Sequence, residues 1–97
     1  MNSVATADRW LRAYARDGDA EAFQQLVLTY QDMVAATARR VLGRSALVDD
    51  AVQETFLALA RSAASVRAHP AAWLHRTARN IAVELLRREP PVGSGDT

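Results

Sequence analysis

The sequence predicts an all-α fold, a compact bundle of four helices. Three observations support it. Apolar residues recur at three- and four-residue steps along four segments, and no segment alternates with the two-residue period of a strand. Gly (4) and Pro (3) are scarce in the 97 residues. A composition of 49% hydrophobic and 24% charged residues is typical of a globular chain, and the length predicts one domain.

The first helix is predicted from about Thr6 to Arg16, with Thr6 as the candidate N-cap. Its apolar stripe consists of Trp10, Leu11 and Tyr14. Asp17 and Gly18 follow, and glycine readily takes the left-handed conformation that often ends a helix. We therefore expect the helix to end there.

The second helix is predicted from a cap at Asp19 to about Leu42, with Gly43 closing it. Arg39 and Arg40 fall in its last turn, where they complement the helix dipole. One face is continuous and largely apolar, formed by Phe23, Leu26, Val27, Tyr30, Val34, Thr37 and Val41.

The third helix is predicted from about Ala46 to Ser62, with Ser45 as candidate cap. Its apolar stripe consists of Val48, Val52, Phe56 and Leu59. The Ser/Ala-rich segment Ser62–His69 is predicted to be a loop.

The fourth helix is predicted from Pro70 to about Arg88, since proline suits a first helical turn and the pair Pro90-Pro91 prevents continuation. Its inner face is formed by Trp73, Leu74, Thr77, Ala78, Ile81 and Leu85. Residues 1–90 are therefore expected to form the domain, and the polar residues 91–97 a disordered tail or the start of a linker.

The net charge is only +1, but the charge is unevenly distributed. Residues 1–60 hold six Arg and eight acids, which gives −2, whereas residues 61–97 hold six Arg and three acids, which gives +3. All twelve basic residues are Arg. A GC-rich genome explains that bias most simply, but Arg also suits phosphate contacts, and the basic C-terminal third favours an acidic partner such as nucleic acid.

Several function classes are not expected. Cys is absent, which excludes disulfides and thiolate metal sites. No apolar run is long enough for a membrane span, and no secretory signal follows Met1, so we expect a cytoplasmic protein without membrane insertion. His69 and His75 do not have the spacing of metal ligands on one helix face. No phosphate loop or nucleophile motif occurs, so neither enzymatic activity nor a cofactor is expected.

Two outward faces remain as candidates for function. On the third helix, Leu57 lies among polar residues opposite the apolar stripe, namely Asp50, Gln53, Glu54 and Arg61. On the fourth helix, the outward residues are Arg76, Arg79, Asn80, Val83 and Arg87, with Arg88 following. Each set could be an ordinary solvated surface. The alternatives are a docking face for another helix and a nucleic-acid surface, where Arg binds phosphate, Asn pairs with base edges and Trp73 stacks.

Three segments resemble the extracytoplasmic-function (group 4) RNA polymerase sigma factors. They are residues 18–23 (GDAEAF) and residues 48–57 (VDDAVQETFL), similar to the family's A-E-D-x-x-Q-E-x-F-L. The third is residues 70–80 (PAAWLHRTARN) with Glu84, Arg87 and Arg88 following, similar to the family's W-L-x-x-I-A-R-N-x-x-x-D-x-x-R-R. The segments occur in the family's order and cover about 70 residues. Val48-Asp49 stands where Ala-Glu is usual, and Glu84 replaces the usual Asp.

The resemblance implies region 2 of a sigma factor, a four-helix domain. The helix that docks on the β′ clamp helices of core RNA polymerase would then use Asp49, Asp50, Gln53, Glu54, Leu57 and Arg61. The segment Ser62–His69, with Ser65, Arg67 and His69, would hold a base flipped from the non-template strand of the −10 promoter element. The helix that opens and reads this element would use Trp73, Arg76, Arg79, Asn80, Arg87 and Arg88.

The resemblance also implies a second domain for the −35 element and an anti-sigma factor as a further partner. One alternative is a sigma-like interaction module or decoy that binds an anti-sigma factor without starting transcription. A plain helical dimerisation unit is the other.

Overall fold

The computed structural model describes residues 3–88, which form four α-helices and one 3-10 turn without any strand. The elements are α1 (Ser3–Asp17), α2 (Ala20–Leu42), α3 (Leu47–Ser62), the 3-10 turn Ala63–Ser65 and α4 (Pro70–Arg88). This arrangement confirms the all-α, four-helix prediction. The predicted domain limit at residue 90 and the predicted tail 91–97 lie outside the described residues, so they stay predictions.

The start of α1 differs from the prediction. Thr6 was expected to cap the helix, but α1 begins at Ser3 and Thr6 lies within its first turns. Nothing in residues 3–5 interrupts a helix as Gly or Pro would. A cap-competent residue such as Thr6 therefore does not mark the boundary when its neighbours on the N-terminal side are helical too.

The junction between α1 and α2 follows the local chemistry of Gly18 and Asp19. Gly18 has a φ of 67°, and its N–H donates to the Tyr14 carbonyl at 2.8 Å. The Asp19 carboxylate accepts from the Ala22 N–H at 3.1 Å and so caps α2. Gly43 ends α2 in the same way as Gly18 ends α1. Its φ is 68°, and its N–H donates to the Arg39 carbonyl at 2.8 Å. These three predictions are confirmed.

Ser45 was predicted to cap a helix beginning at about Ala46, but α3 begins at Leu47 and the N-cap position is held by Ala46, which makes no side-chain capping bond. Ser45 still binds the first turn of the helix. The Ser45 hydroxyl oxygen accepts from the Leu47 N–H at 3.0 Å, and its carbonyl accepts from Val48 at 3.2 Å. The predicted loop after α3 is more regular than expected. Its first part is the 3-10 turn Ala63–Ser65, because the buried side chain of Ala63 holds the chain against the core.

The core has two parts. The larger is built from all four helices and the 3-10 turn, with buried residues Ala7, Leu11, Leu26, Val34, Phe56, Leu59, Ala63, Leu74 and Ala78. The smaller lies between α2, α3 and α4 without α1, with buried residues Ala38, Leu42, Val48, Ala51 and Ala82. Burial of this apolar surface, at roughly 25 cal/mol per Å², is the main force that holds the helices together.

Buried polar groups are satisfied within their own helices. The Thr55 hydroxyl donates to the Ala51 carbonyl at 2.6 Å, and that of Thr37 to the Met33 carbonyl at 2.9 Å. In the part of the chain that the structure describes, no buried side-chain nitrogen or oxygen lacks a partner. None of the helices within residues 3–88 combines the length and apolar character needed to cross a membrane.

Candidate functional site

The outward side of α3 forms a polar surface that we call the acidic face: Asp49, Asp50, Gln53, Glu54, Leu57 and Arg61. All six side chains are exposed, including Leu57 at 48%. The opposite side of the helix holds the buried residues Val48, Ala51 and Phe56, so core packing fixes which side faces outward. Asp49 and Asp50 lie in the first turn, where the helix dipole favours negative charge.

The outward side of α4 forms a basic surface that we call the arginine face: Arg76, Arg79, Asn80, Arg87 and Arg88. All five side chains are exposed, because Leu74, Ala78 and Ala82 on the other side of the helix are fully buried. The structure therefore places these predicted residues together on one accessible surface.

The arginine face divides into a paired and an unpaired half. Arg87 and Arg88 each lie 3.7 Å from the Glu84 carboxylate, and all three side chains are largely exposed. Such surface pairs contribute little to stability and exchange readily. The side chains of Arg76, Arg79 and Asn80 have no hydrogen-bond or ion-pair partner among the described residues. They are thus the members most available to an external anion or base.

Trp73 lies at the start of α4 and is half-buried, packed against the larger part of the core. Its indole therefore contributes to packing and still reaches the surface. The predicted place of Trp73 on the inner face of the helix is confirmed, and its stacking on a base stays a prediction.

The segment after α3 lies over a cavity of about 380 Å³ between itself and α1. Within this segment, the Ser65 hydroxyl donates to the Ser62 carbonyl at 2.9 Å, and the Arg67 guanidinium donates to Ala64 at 3.4 Å. Ser65 and Arg67 are exposed, and His69 is half-buried. Arg67 and His69 line the cavity, whereas Ser65 does not.

One wall of this cavity is α1, which sequence reasoning did not include in the site. Asp8, Leu11, Arg12 and Ala15 line that wall. The Asp8 carboxylate lies 3.4 Å from Nδ1 of His69, which joins α1 to the far end of the segment. The spacing of Asp8, Arg12 and Ala15 places them on one helix face, but no pattern in the sequence indicates that this face meets residues 63–69.

Asp8 also acts on Tyr30 of α2. Burial raises the pKa of the Tyr30 phenol above its ordinary value of 10.0, and the nearby negative charge of Asp8 raises this pKa further. The Tyr30 side chain packs against the larger part of the core. The phenol therefore stays neutral at physiological pH.

Metal binding has no support within residues 3–88, where no three His, Asp or Glu side chains come together as ligands. The arrangement instead offers exposed guanidinium groups, one amide and a cavity with polar and apolar walls. Guanidinium and amide groups can form hydrogen bonds with phosphates and with base edges.

Comparison with known proteins places the chain in a family. The family model described as Sigma-70 region 2 matches residues 26–90. The chain belongs to the Sigma-70 region 2 family.

A curated relative is similar to most of the chain. The chain is 38% identical over 89 residues to the ECF RNA polymerase sigma-E factor of Haemophilus influenzae. The alignment covers 87% of this chain and 47% of the relative, so the chain spans about half the length of the curated relative that it matches. No solved structure matches. The predicted resemblance to extracytoplasmic-function sigma factors is confirmed.

Proposed function

We propose that the chain is the promoter-recognition domain of a bacterial extracytoplasmic-function sigma factor. Its acidic face docks on the β′ clamp helices of core RNA polymerase, and its arginine face, with the cavity beside α1, binds and opens the −10 element. The observation that carries the proposal is the unpaired, exposed group Arg76, Arg79 and Asn80, on the helix whose residues fall within the family match.

Opening of the duplex requires no covalent chemistry. Taking one base out of the stack costs a few kcal/mol, and capture of that base in a pocket offsets the cost. The 380 Å³ cavity is within the size range of small-ligand sites. Its Asp8 carboxylate can accept a hydrogen bond from an exocyclic amine, and Arg12 and Arg67 can donate to base oxygens or nitrogens.

The strand outside the cavity is held mainly through its phosphates. Arg76 and Arg79 neutralise backbone charge and release counterions, so binding weakens as salt rises. Asn80 presents both a donor and an acceptor to a base edge. Trp73 supports the upstream edge of the opened segment by stacking. Arg87 and Arg88 give up a weak pair with Glu84 when they bind phosphate.

Docking on the polymerase supplies the remaining affinity. A net charge of +1 gives the domain little long-range attraction to DNA. Once the acidic face is bound to the clamp helices, promoter DNA on the same polymerase is present at a high effective concentration. Leu57 then supplies the apolar contact at the centre of a polar interface.

A titration of the 97-residue chain against a fluorescent non-template −10 oligonucleotide tests the DNA half of the proposal. Arg76→Ala should weaken binding to all sequences and lower the salt slope by about 1. Asn80→Ala should cost about 1–3 kcal/mol and relax base preference. Arg9→Ala, an exposed arginine of α1 that lines neither the cavity nor the arginine face, is the matched control. Unchanged affinity in both test variants would remove these residues from the assignment.

A pull-down with the isolated β′ clamp helices tests the other half. The double variant Gln53→Ala/Glu54→Ala should lose binding, whereas Gln24→Ala/Gln25→Ala, two exposed residues of α2, should retain it. A chain that binds the clamp helices but no −10 DNA would instead fit the interaction-module alternative. Equal capture of both double variants would contradict docking through the acidic face.

A further inference from the structure

A second, smaller groove lies between α2 and α4, away from the cavity beside α1. It has a volume of about 130 Å³ and is lined by Thr37, Arg40, Val41, His75 and Arg79. Arg40 and Arg79 come from helices that α3 separates in the chain, so only the packing of α2 against α4 brings the two guanidinium groups to one groove. Sequence reasoning assigned Arg79 to DNA but gave Arg40 and His75 no such role.

The positive charge of the groove is not balanced by any acidic side chain that lines it. No Asp or Glu lines it, and among the described residues neither guanidinium has an ion pair or a side-chain hydrogen bond. His75 is exposed and adds a ring N–H that can donate. Two guanidinium groups at one small concave site match the charge and the several acceptor oxygens of a phosphate group.

We propose that this groove is a phosphate subsite for the DNA backbone, formed by Arg40 of α2 together with His75 and Arg79 of α4. The inference rests on the proposed function, because Arg79 belongs to the arginine face and makes the groove continuous with it. A strand bound along Arg76 and Asn80 can place one of its phosphates at Arg79, and Arg40 then contacts the same phosphate from the other side. The DNA-binding surface thus extends from α4 onto the end of α2.

The neighbouring Arg39 offers a stringent control. Arg39 and Arg40 are adjacent and exposed, and both lie in the last turn of α2, where they complement the dipole equally. Only Arg40 lines the groove. Arg39→Gln and Arg40→Gln therefore remove the same charge from the same helix end, and any difference between them in DNA binding reports the groove.

The experiment measures the affinity of wild type, Arg39→Gln and Arg40→Gln for the labelled −10 oligonucleotide and for a scrambled one, over a range of chloride concentrations. We expect Arg40→Gln to weaken binding about three- to tenfold, equally for both sequences, and to lower the salt slope by about 1. Arg39→Gln should stay within about twofold of wild type. The far-ultraviolet circular dichroism of each variant verifies that its helices are intact.

The possible outcomes distinguish failure of the subsite from failure of the proposed function. Equal effects of Arg39→Gln and Arg40→Gln on DNA would overturn the subsite while leaving the proposed function in place, because Arg76→Ala and Asn80→Ala test that function separately. If the groove binds free anions but no DNA phosphate, Arg39→Gln and Arg40→Gln will again affect DNA binding equally, and the subsite is overturned. This holds even where inorganic phosphate stabilises wild type, but not Arg40→Gln, against thermal unfolding. Failure of wild type to bind either oligonucleotide, both alone and together with core RNA polymerase, would overturn both proposals.

Discussion

Asp8 connects three parts of the molecule. Its carboxylate lies 3.4 Å from His69, it lines the 380 Å³ cavity, and its charge acts on Tyr30. The side chains of Asp8 and His69 are 37% and 27% exposed, so solvent screens their contact and its contribution to stability is small. Asp8 therefore matters less for stability than for its position, because its carboxylate lies at the wall of the cavity.

The pKa of Tyr30 provides a test of this environment. The chain has two tyrosines, so Tyr14→Phe leaves Tyr30 as the sole source of phenolate absorbance. We expect that absorbance to appear at a pH above 10.0, because burial and then the charge of Asp8 disfavour the anion. Adding Asp8→Asn should lower the pKa but leave it above 10.0, since burial is the larger cause.

The sign of the stability effect follows from the same shift. The folded state holds the Tyr30 proton more tightly than the unfolded state does, so this contribution is fully present below about pH 10 and declines as pH rises through the folded pKa. Tyr30→Phe should flatten the alkaline fall in the free energy of unfolding. An unchanged alkaline profile, or a Tyr30 that ionises below pH 10.0, would contradict the described burial.

At the scale of the element, α3 carries one buried and one exposed leucine on opposite sides of the same helix. Leu59 is fully buried and Leu57 is 48% exposed, two residues apart in the chain. In a helix this spacing rotates a side chain by more than half a turn, so one leucine enters the core and the other enters solvent. The same physical rule places the acidic face opposite the buried stripe.

A pair of alanine variants tests this division. Leu59→Ala should cost about 2–5 kcal/mol of unfolding free energy, because it removes apolar contacts and leaves a cavity. Leu57→Ala should stay within about 0.5 kcal/mol of wild type and yet weaken binding to the clamp helices. Urea denaturation measures the first quantity and the pull-down the second. A large stability loss in Leu57→Ala would show that the acidic face is part of the fold rather than a free surface.

The helix boundaries show which local signals are sufficient to predict where a helix begins or ends. Asp19, Gly18 and Gly43 were predicted correctly because a capping carboxylate and a left-handed glycine act within three or four residues of themselves. Thr6 was wrong as a cap, since a cap-competent side chain does not end a helix whose flanking residues also favour it. The 3-10 turn after α3 was missed because it depends on the burial of Ala63 against α1 and α3.

At the scale of the whole molecule, two surfaces of opposite chemistry share one small core. The acidic face belongs to α3 and the arginine face to α4, and no hydrogen bond or ion pair among the described residues links them. Both rest on the same packed interior, in which Leu59 of α3 and Leu74 of α4 are fully buried. Both surfaces are thus supported by one core and have no direct polar contact with each other among the described residues.

The two proposed binding activities should therefore be separable. Gln53→Ala/Glu54→Ala should leave the affinity for the −10 oligonucleotide unchanged, and Asn80→Ala should leave clamp-helix binding unchanged, because effects at sites without shared contacts add. Fluorescence titration and pull-down measure the full cross-comparison. A loss of both activities in either variant, with its circular dichroism intact, would show that the surfaces are coupled.

The sequence alone determined the four helices, the outward position of the two candidate faces and the family resemblance, because helical periodicity and caps are local properties of the chain. Only the tertiary structure decided which helices line the same cavity or groove. The wall that α1 gives to the cavity and the position of Arg40 beside Arg79 depend on contacts between distant segments. Those contacts follow from how the buried faces pack, and periodicity shows which face is buried but not which neighbour it meets.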